Sequence, residues 1–180
     1  SPPKTFDMFV VRGGSPCPNG SFFNYNTIAS SVPAQSDAGG GVVSVGAINA
    51  SDPSVDDIEP FSSHGLTNNG EIKPDVAAVD GVSVTGFGGF PSTFIGTSAA
   101  APHVAGLAAL LLDLRPELMS GEPGDDPAVD RATLRSAIVD GTVDLGISGV
   151  DNTFGHGRAN GPASAALLDG FAAEITVTER

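Results

Sequence analysis

A serine hydroxyl becomes a useful nucleophile only when a base takes its proton and a third group orients that base. The run Phe94 to Leu118, FIGTSAAAPHVAGLAALLLDLRPEL, offers a candidate in Ser98, at the head of a long apolar segment. On the first turn of a helix such a serine brings unpaired backbone N–H groups, and the positive end of the helix dipole, to the reacting carbonyl. Those are the fixed donors that the oxyanion of an acyl transfer requires. Gly96 lets the backbone approach a substrate closely, and Ala99 to Ala101 leave room for partners and for tight packing. Taken alone, Ser98 also reads as a helix N-cap with no chemistry. The chain holds three histidines, His64, His103 and His156, from which a base could come.

The apolar pattern predicts the elements that must position this serine. Ala101, Val104, Ala105, Ala108, Leu111 and Leu112 recur at helical spacing, and Leu107, Leu110 and Leu114 fill the opposite face. A helix apolar nearly all round is expected to be central and buried. Thr97 is its expected N-cap. Pro102 gives up only the bond to the Ser98 carbonyl, and Pro116 ends the helix by disfavouring α geometry at Arg115. Upstream, Met8 to Val11 (MFVV), Val42 to Ile48 (VVSVGAI) and Asp75 to Val79 (DVAAV) read as strands of a sheet covered on both faces. Gly81 to Phe87 adds a short strand. A second helix is expected around Arg131 to Val139 and a third in GPASAALLDG, after FGHGRAN, while the tail EITVT reads as a strand or the start of another element. Strands and helices in this order predict an α/β domain with a mostly parallel sheet.

Composition narrows the partners. The 180 residues are 40% apolar and 16% charged, which suits one domain rather than a disordered chain. Eight Lys and Arg against 21 Asp and Glu give a net charge of −13. That charge repels phosphate backbones and anionic lipid, so neither nucleic acid nor a membrane is an expected partner. No apolar run is expected to reach the length of a membrane span, and the start, SPPKTFDMFVV, lacks the shape of a signal peptide. Cys17 is the single cysteine, which excludes an intrachain disulfide; between Pro16 and Pro18 it reads as an ordinary free thiol. Glu122, Asp125, Asp126 and Asp130 are carboxylates of the kind calcium takes, but their spacing matches no EF-hand loop and they read as a solvated surface. No metal ligand is assigned.

The eleven residues Gly96-Thr97-Ser98-Ala99-Ala100-Ala101-Pro102-His103-Val104-Ala105-Gly106 resemble the serine motif of the subtilisin-like serine proteases. Flanking stretches resemble that family in its own order: VVSVGAINASD, then Phe61-Ser62-Ser63-His64-Gly65, then IKPDVAA, and GHGRAN to close. The likeness extends from Met8 to Leu168. It implies a partial subtilisin-like three-layer α/β fold, with a mostly parallel sheet and a central buried helix starting at Ser98. It also implies a serine endopeptidase that cleaves a peptide or protein substrate through a Ser98 acyl-enzyme, in a secreted or extracellular setting. Calcium is common in the family and is left open without ligands. Residues 1–180 would be the C-terminal portion of a single peptidase domain.

The same resemblance leaves the rest of the machinery unaccounted for. The family's triad runs Asp, His, Ser along the chain, so a base must precede Ser98, and only His64 does. His64 is followed by GLTNNGE and reads as a turn residue. His103 lies five positions along the helix, displaced around its axis from the Ser98 hydroxyl, and His156 is downstream. The family's aspartate and histidine motifs are absent, so these 180 residues alone are expected to hydrolyse no peptide. Family members carry an oxyanion-binding asparagine after a strand and a small-residue turn. In the corresponding Val10-Val11-Arg12-Gly13-Gly14-Ser15, its place falls to Ser15, with Asn19 as the alternative beyond two prolines. Arg12 either favours acidic substrates or points to solvent. Two functions stay open: an endopeptidase, or a pseudopeptidase that uses the fold as a protein-binding or scaffold module. A different kind of serine hydrolase is disfavoured, because no G-x-S-x-G elbow surrounds Ser98. An open sheet edge would make the isolated fragment self-associate.

Overall fold

The computed structural model describes residues 41–169, except 53, 68, 86–88, 90–91, 120 and 122–125. Within them run β1 (Val45–Asn49), β2 (Val76–Asp80), β3 (Val82–Ser83), β4 (Thr93–Phe94), α1 (Thr97–Leu114), α2 (Pro127–Asp140) and α3 (Gly161–Asp169). β1 and β2 are parallel, with Val45 opposite Val76 and Asn49 opposite Asp80. The closing GHGRAN stretch extends this sheet on the far side of β2. There the Ala77 N–H donates to the Gly157 carbonyl at 2.9 Å, and the Ala159 N–H donates to the Ala77 carbonyl at 2.9 Å. β3 and β4 form a small antiparallel hairpin.

Successive residues of a strand point to opposite faces, and that alternation builds two cores. Ala47, Val76 and Ala78 meet Ala100, Val104 and Leu111 of α1, with Ala137, Ile138 and Val139 of α2 and Leu168 of α3. Ile48 and Ala77 turn the other way, onto Phe154. The sheet is therefore covered on both faces, as a continuous apolar strand requires.

A buried charge cluster pins the start of β2. The Asp75 carboxylate, 5% exposed, receives the Lys73 ammonium at 2.8 Å and the Arg135 guanidinium of α2 at 2.5 Å. It also accepts from the Ser44 amide at 2.7 Å and the Ser44 hydroxyl at 2.9 Å. Burial alone would push the Asp75 carboxyl up; the Lys73 and Ser44 hydrogen bonds outweigh it and hold the group below the ordinary carboxylate range. One side chain thus links the approach to β1, the start of β2 and a helix.

Several expectations are corrected. α1 begins at Thr97 with Gly96 in the cap position, and no side chain caps it. It is not buried all round: Ala99, Ala100, Val104 and Leu111 are inside, while Leu110 is 70% exposed. The sheet covers one side of α1, and no described element lies over Leu110. By length and composition alone α1 is also long and apolar enough to cross a membrane, contrary to expectation. α2 starts at Pro127, earlier than Arg131, because Asp126 caps it through the Ala128 N–H at 2.9 Å and Pro127 pre-sets the first turn. The outer edge of β1 is partly closed by its own downstream loop. Asn49 N–H donates to the Asp57 carbonyl, Glu59 N–H to the Ala47 carbonyl, and Ala47 N–H to the Ser62 hydroxyl. The expected strand at Met8 to Val11, the end of Gly81 to Phe87, the EITVT tail and Cys17 lie outside the described residues.

Candidate active site

Ser98 is the second residue of α1 and is exposed. Its neighbours explain that direction: Ala99 and Ala100 are 2% and 0% exposed against the sheet, which leaves Ser98 on the outward side of the first turn. The chain reaches this point through the β3–β4 hairpin, which leaves the end of β2 and returns to it. Val82 pairs with Phe94 there, and the Val84 N–H donates to the Ser92 carbonyl at 2.8 Å. At the return, the Gly96 N–H donates to Asp80 Oδ2 at 2.7 Å. Gly96 has φ 119° and ψ 164°, a backbone region open in practice only to glycine. Its carbonyl starts the helix by accepting from Ala99 at 2.7 Å and Ala100 at 3.2 Å. Helix geometry gives the Thr97 and Ser98 amides no intrahelical acceptor.

The histidines are placed elsewhere. The His103 ring donates through Nδ1 to the Ala99 carbonyl at 2.8 Å, four residues back on the same helix. His156 belongs to the opposite end of the sheet: its N–H donates to the Asp75 carbonyl, before β2 begins. Ser98 follows from the far end of that strand, and five residues of strand span about 16 Å. His64 is partly buried in an irregular segment that carries its own interaction. Ser15, Asn19 and Arg12 lie outside the described residues, as do Glu122 and Asp125. Asp126 is committed to the α2 cap. Among the described residues no three His, Cys, Asp or Glu form a group that could hold a metal.

The sequence reading passed over Asp80. The expected strand over Asp75 to Val79 stops one residue short of it. The available signal was a carboxylate closing an apolar run at the carboxyl end of a parallel strand, where such sheets place their sites. Asp80 is fully buried, and one of its oxygens, Oδ1, receives no hydrogen bond from a side-chain or backbone donor. Glu59 is hydrogen-bonded to it, and burial, followed by the Asp80 charge and that bond, raises the Glu59 carboxyl above its ordinary range.

The glycines of the closing motif have a packing reason. Gly157 has φ 122°, and a Cβ there would stand 2.2 Å from the Val143 carbonyl oxygen. Side chains are excluded because the Val143 segment and β2 both pair with this stretch.

A model of the subtilase family, peptidase S8, matches residues 19–157, which is most of the chain. The chain belongs to the subtilase family. Over 65 residues this subtilase chain is 38% identical to an extracellular serine protease of Serratia marcescens, a stretch covering 36% of the chain and 5% of that protein. Among solved structures it is similar to the CspB protease of Clostridium perfringens, with a TM-score of 0.63 and 23% identity over 81% of this chain and 30% of that one. The second likeness establishes a subtilisin-like fold. The chain thus spans 5% and 30% of the length of these two relatives.

Proposed function

We propose that the protein bearing this chain is a serine endopeptidase of subtilisin type, with Ser98 as nucleophile. The observation that carries the reading is an exposed serine on the first turn of α1, held by an ordered turn, in a chain of the subtilase family. Ser98 Oγ attacks the carbonyl carbon of the scissile peptide as a base takes the hydroxyl proton. The carbonyl oxygen becomes an oxyanion within reach of first-turn amides. Collapse expels the amine with that proton and leaves an acyl-enzyme, which water then hydrolyses. Ser15 or Asn19 supplies a further oxyanion donor.

The base and the group that orients it come from outside these 180 residues, which therefore form the C-terminal part of a peptidase domain and hydrolyse no peptide alone. Turnover by the isolated chain that disappears with Ser98→Ala would overturn that statement. The Serratia relative's description as extracellular supports a secreted setting. A fluorophosphonate probe tests the nucleophile: the full-length protein should be labelled at Ser98, and Ser98→Ala should abolish labelling. A full-length protein that is folded but unlabelled favours the pseudopeptidase, a reading supported by Ser15 standing where the family carries asparagine.

A further inference from the structure

We propose that Asp80 is a positioning residue for Ser98: its buried carboxylate grips the Gly96 amide and fixes where the nucleophile's turn stands. The inference rests on the reading of Ser98 as nucleophile, and it adds a residue that the serine motif does not contain.

Three observations support it. First, a side chain reaches the backbone of the turn just before α1: Asp80 Oδ2 accepts from the Gly96 N–H at 2.7 Å. Second, Gly96 occupies a backbone region open in practice only to glycine, and its carbonyl receives the Ala99 and Ala100 amides of the first helical turn. A shift of Gly96 therefore moves Ser98, two residues on. Third, Asp80 has no freedom to follow such a shift. It is the last residue of β2, paired in register with Asn49, and its carbonyl accepts from Ala50 at 3.1 Å. A carboxylate fixed in a sheet and bonded to the entry of a helix couples the two rigidly, and its charge suits the positive end of that helix.

Glu59 completes the arrangement. Asp80 Oδ1 is buried and lacks an ordinary donor, and an unpaired charged oxygen there would be costly. Glu59 is bonded to Asp80 and keeps its proton more readily than an ordinary carboxyl. Asp57, near Glu59, adds negative charge and favours the same proton.

The test is fluorophosphonate labelling of the full-length protein, with the inactivation constant and the probe's apparent affinity measured separately. Asp80→Ala and Asp80→Val remove the acceptor. Each should slow inactivation about tenfold or more and leave affinity unchanged to within about twofold, because a misplaced nucleophile loses reactivity before it loses binding. Asp80→Asn keeps an oxygen for Gly96 and offers its amide to Glu59, so it should restore most of the rate. Thermal melts identify any variant that fails to fold, and Asp80→Val stands in should Asp80→Ala do so. Folded Asp80→Ala or Asp80→Val protein labelled at the wild-type rate overturns the proposal while leaving Ser98 as nucleophile. Equal slowing by all three substitutions also overturns it, since the hydrogen bond would then not be the cause. If wild-type protein is not labelled, Ser98 is not the nucleophile and the positioning role falls with it.

Discussion

At the scale of single residues, Gly96 and Gly157 show two ways in which a glycine becomes obligatory. At Gly96 there is space: an added Cβ would find the Ser98 nitrogen at 3.7 Å, an ordinary contact. What forbids a side chain is the backbone angle, at φ 119°. At Gly157 both the angle and the space forbid it, with the Val143 carbonyl oxygen 2.2 Å from the Cβ position. Gly96→Ala should therefore lower stability by the strain alone, about 1–3 kcal/mol. Gly157→Ala should lower it further, because β2 and the Val143 segment must separate. Urea denaturation of both variants would check the order; an equal loss would show that the close approach carries no penalty.

At the scale of elements, the Asp75 cluster is where charge rather than apolar area joins a strand to a helix. Lys73 is itself 4% exposed, so replacing it with methionine removes a partner from a buried carboxylate. The expected loss is about 3–5 kcal/mol, the range for a buried pair broken on one side. The pH dependence has a definite sign. The folded-state value of Asp75 lies below its unfolded one, so its stabilisation is present above the unfolded value of about 3.9. It is lost as pH falls from there through the depressed folded value. Denaturation curves at neutral and acid pH should show wild type losing more stability than Asp75→Asn over that interval. Parallel curves would remove the cluster from the acid response.

At the scale of the molecule, the question is what meets the exposed side of α1. Ala101, Ala105 and Leu110 are apolar and exposed, and an apolar cavity of about 600 Å³ runs between α1, α2 and the β1 approach. The outer edge of β1 is bonded at Ala47 and Asn49 by the chain's own loop, so apolar surface rather than open strand backbone is the stronger drive to associate. The isolated chain is expected to self-associate in proportion to concentration; a monomer by light scattering at high concentration would contradict this.

The order of β1, β2, α1, α2 and α3, the two-sided sheet and the small-residue closing motif were legible in the sequence, because apolar period and turn residues act locally. So was the place of Ser98 at the head of α1. Tertiary structure decided the rest. Whether α1 is buried all round depends on what lies beside it, which its own period does not encode. The start of α2 at Pro127 depended on Asp126 finding the Ala128 amide. Asp80 and Gly96 are 16 residues apart, and nothing in either neighbourhood announces that a hairpin brings them within one hydrogen bond. The same holds for Asp75 and Arg135, which are 60 residues apart. A sequence records which groups can bond; only the folded chain settles which of them meet, because long-range partners are chosen by packing.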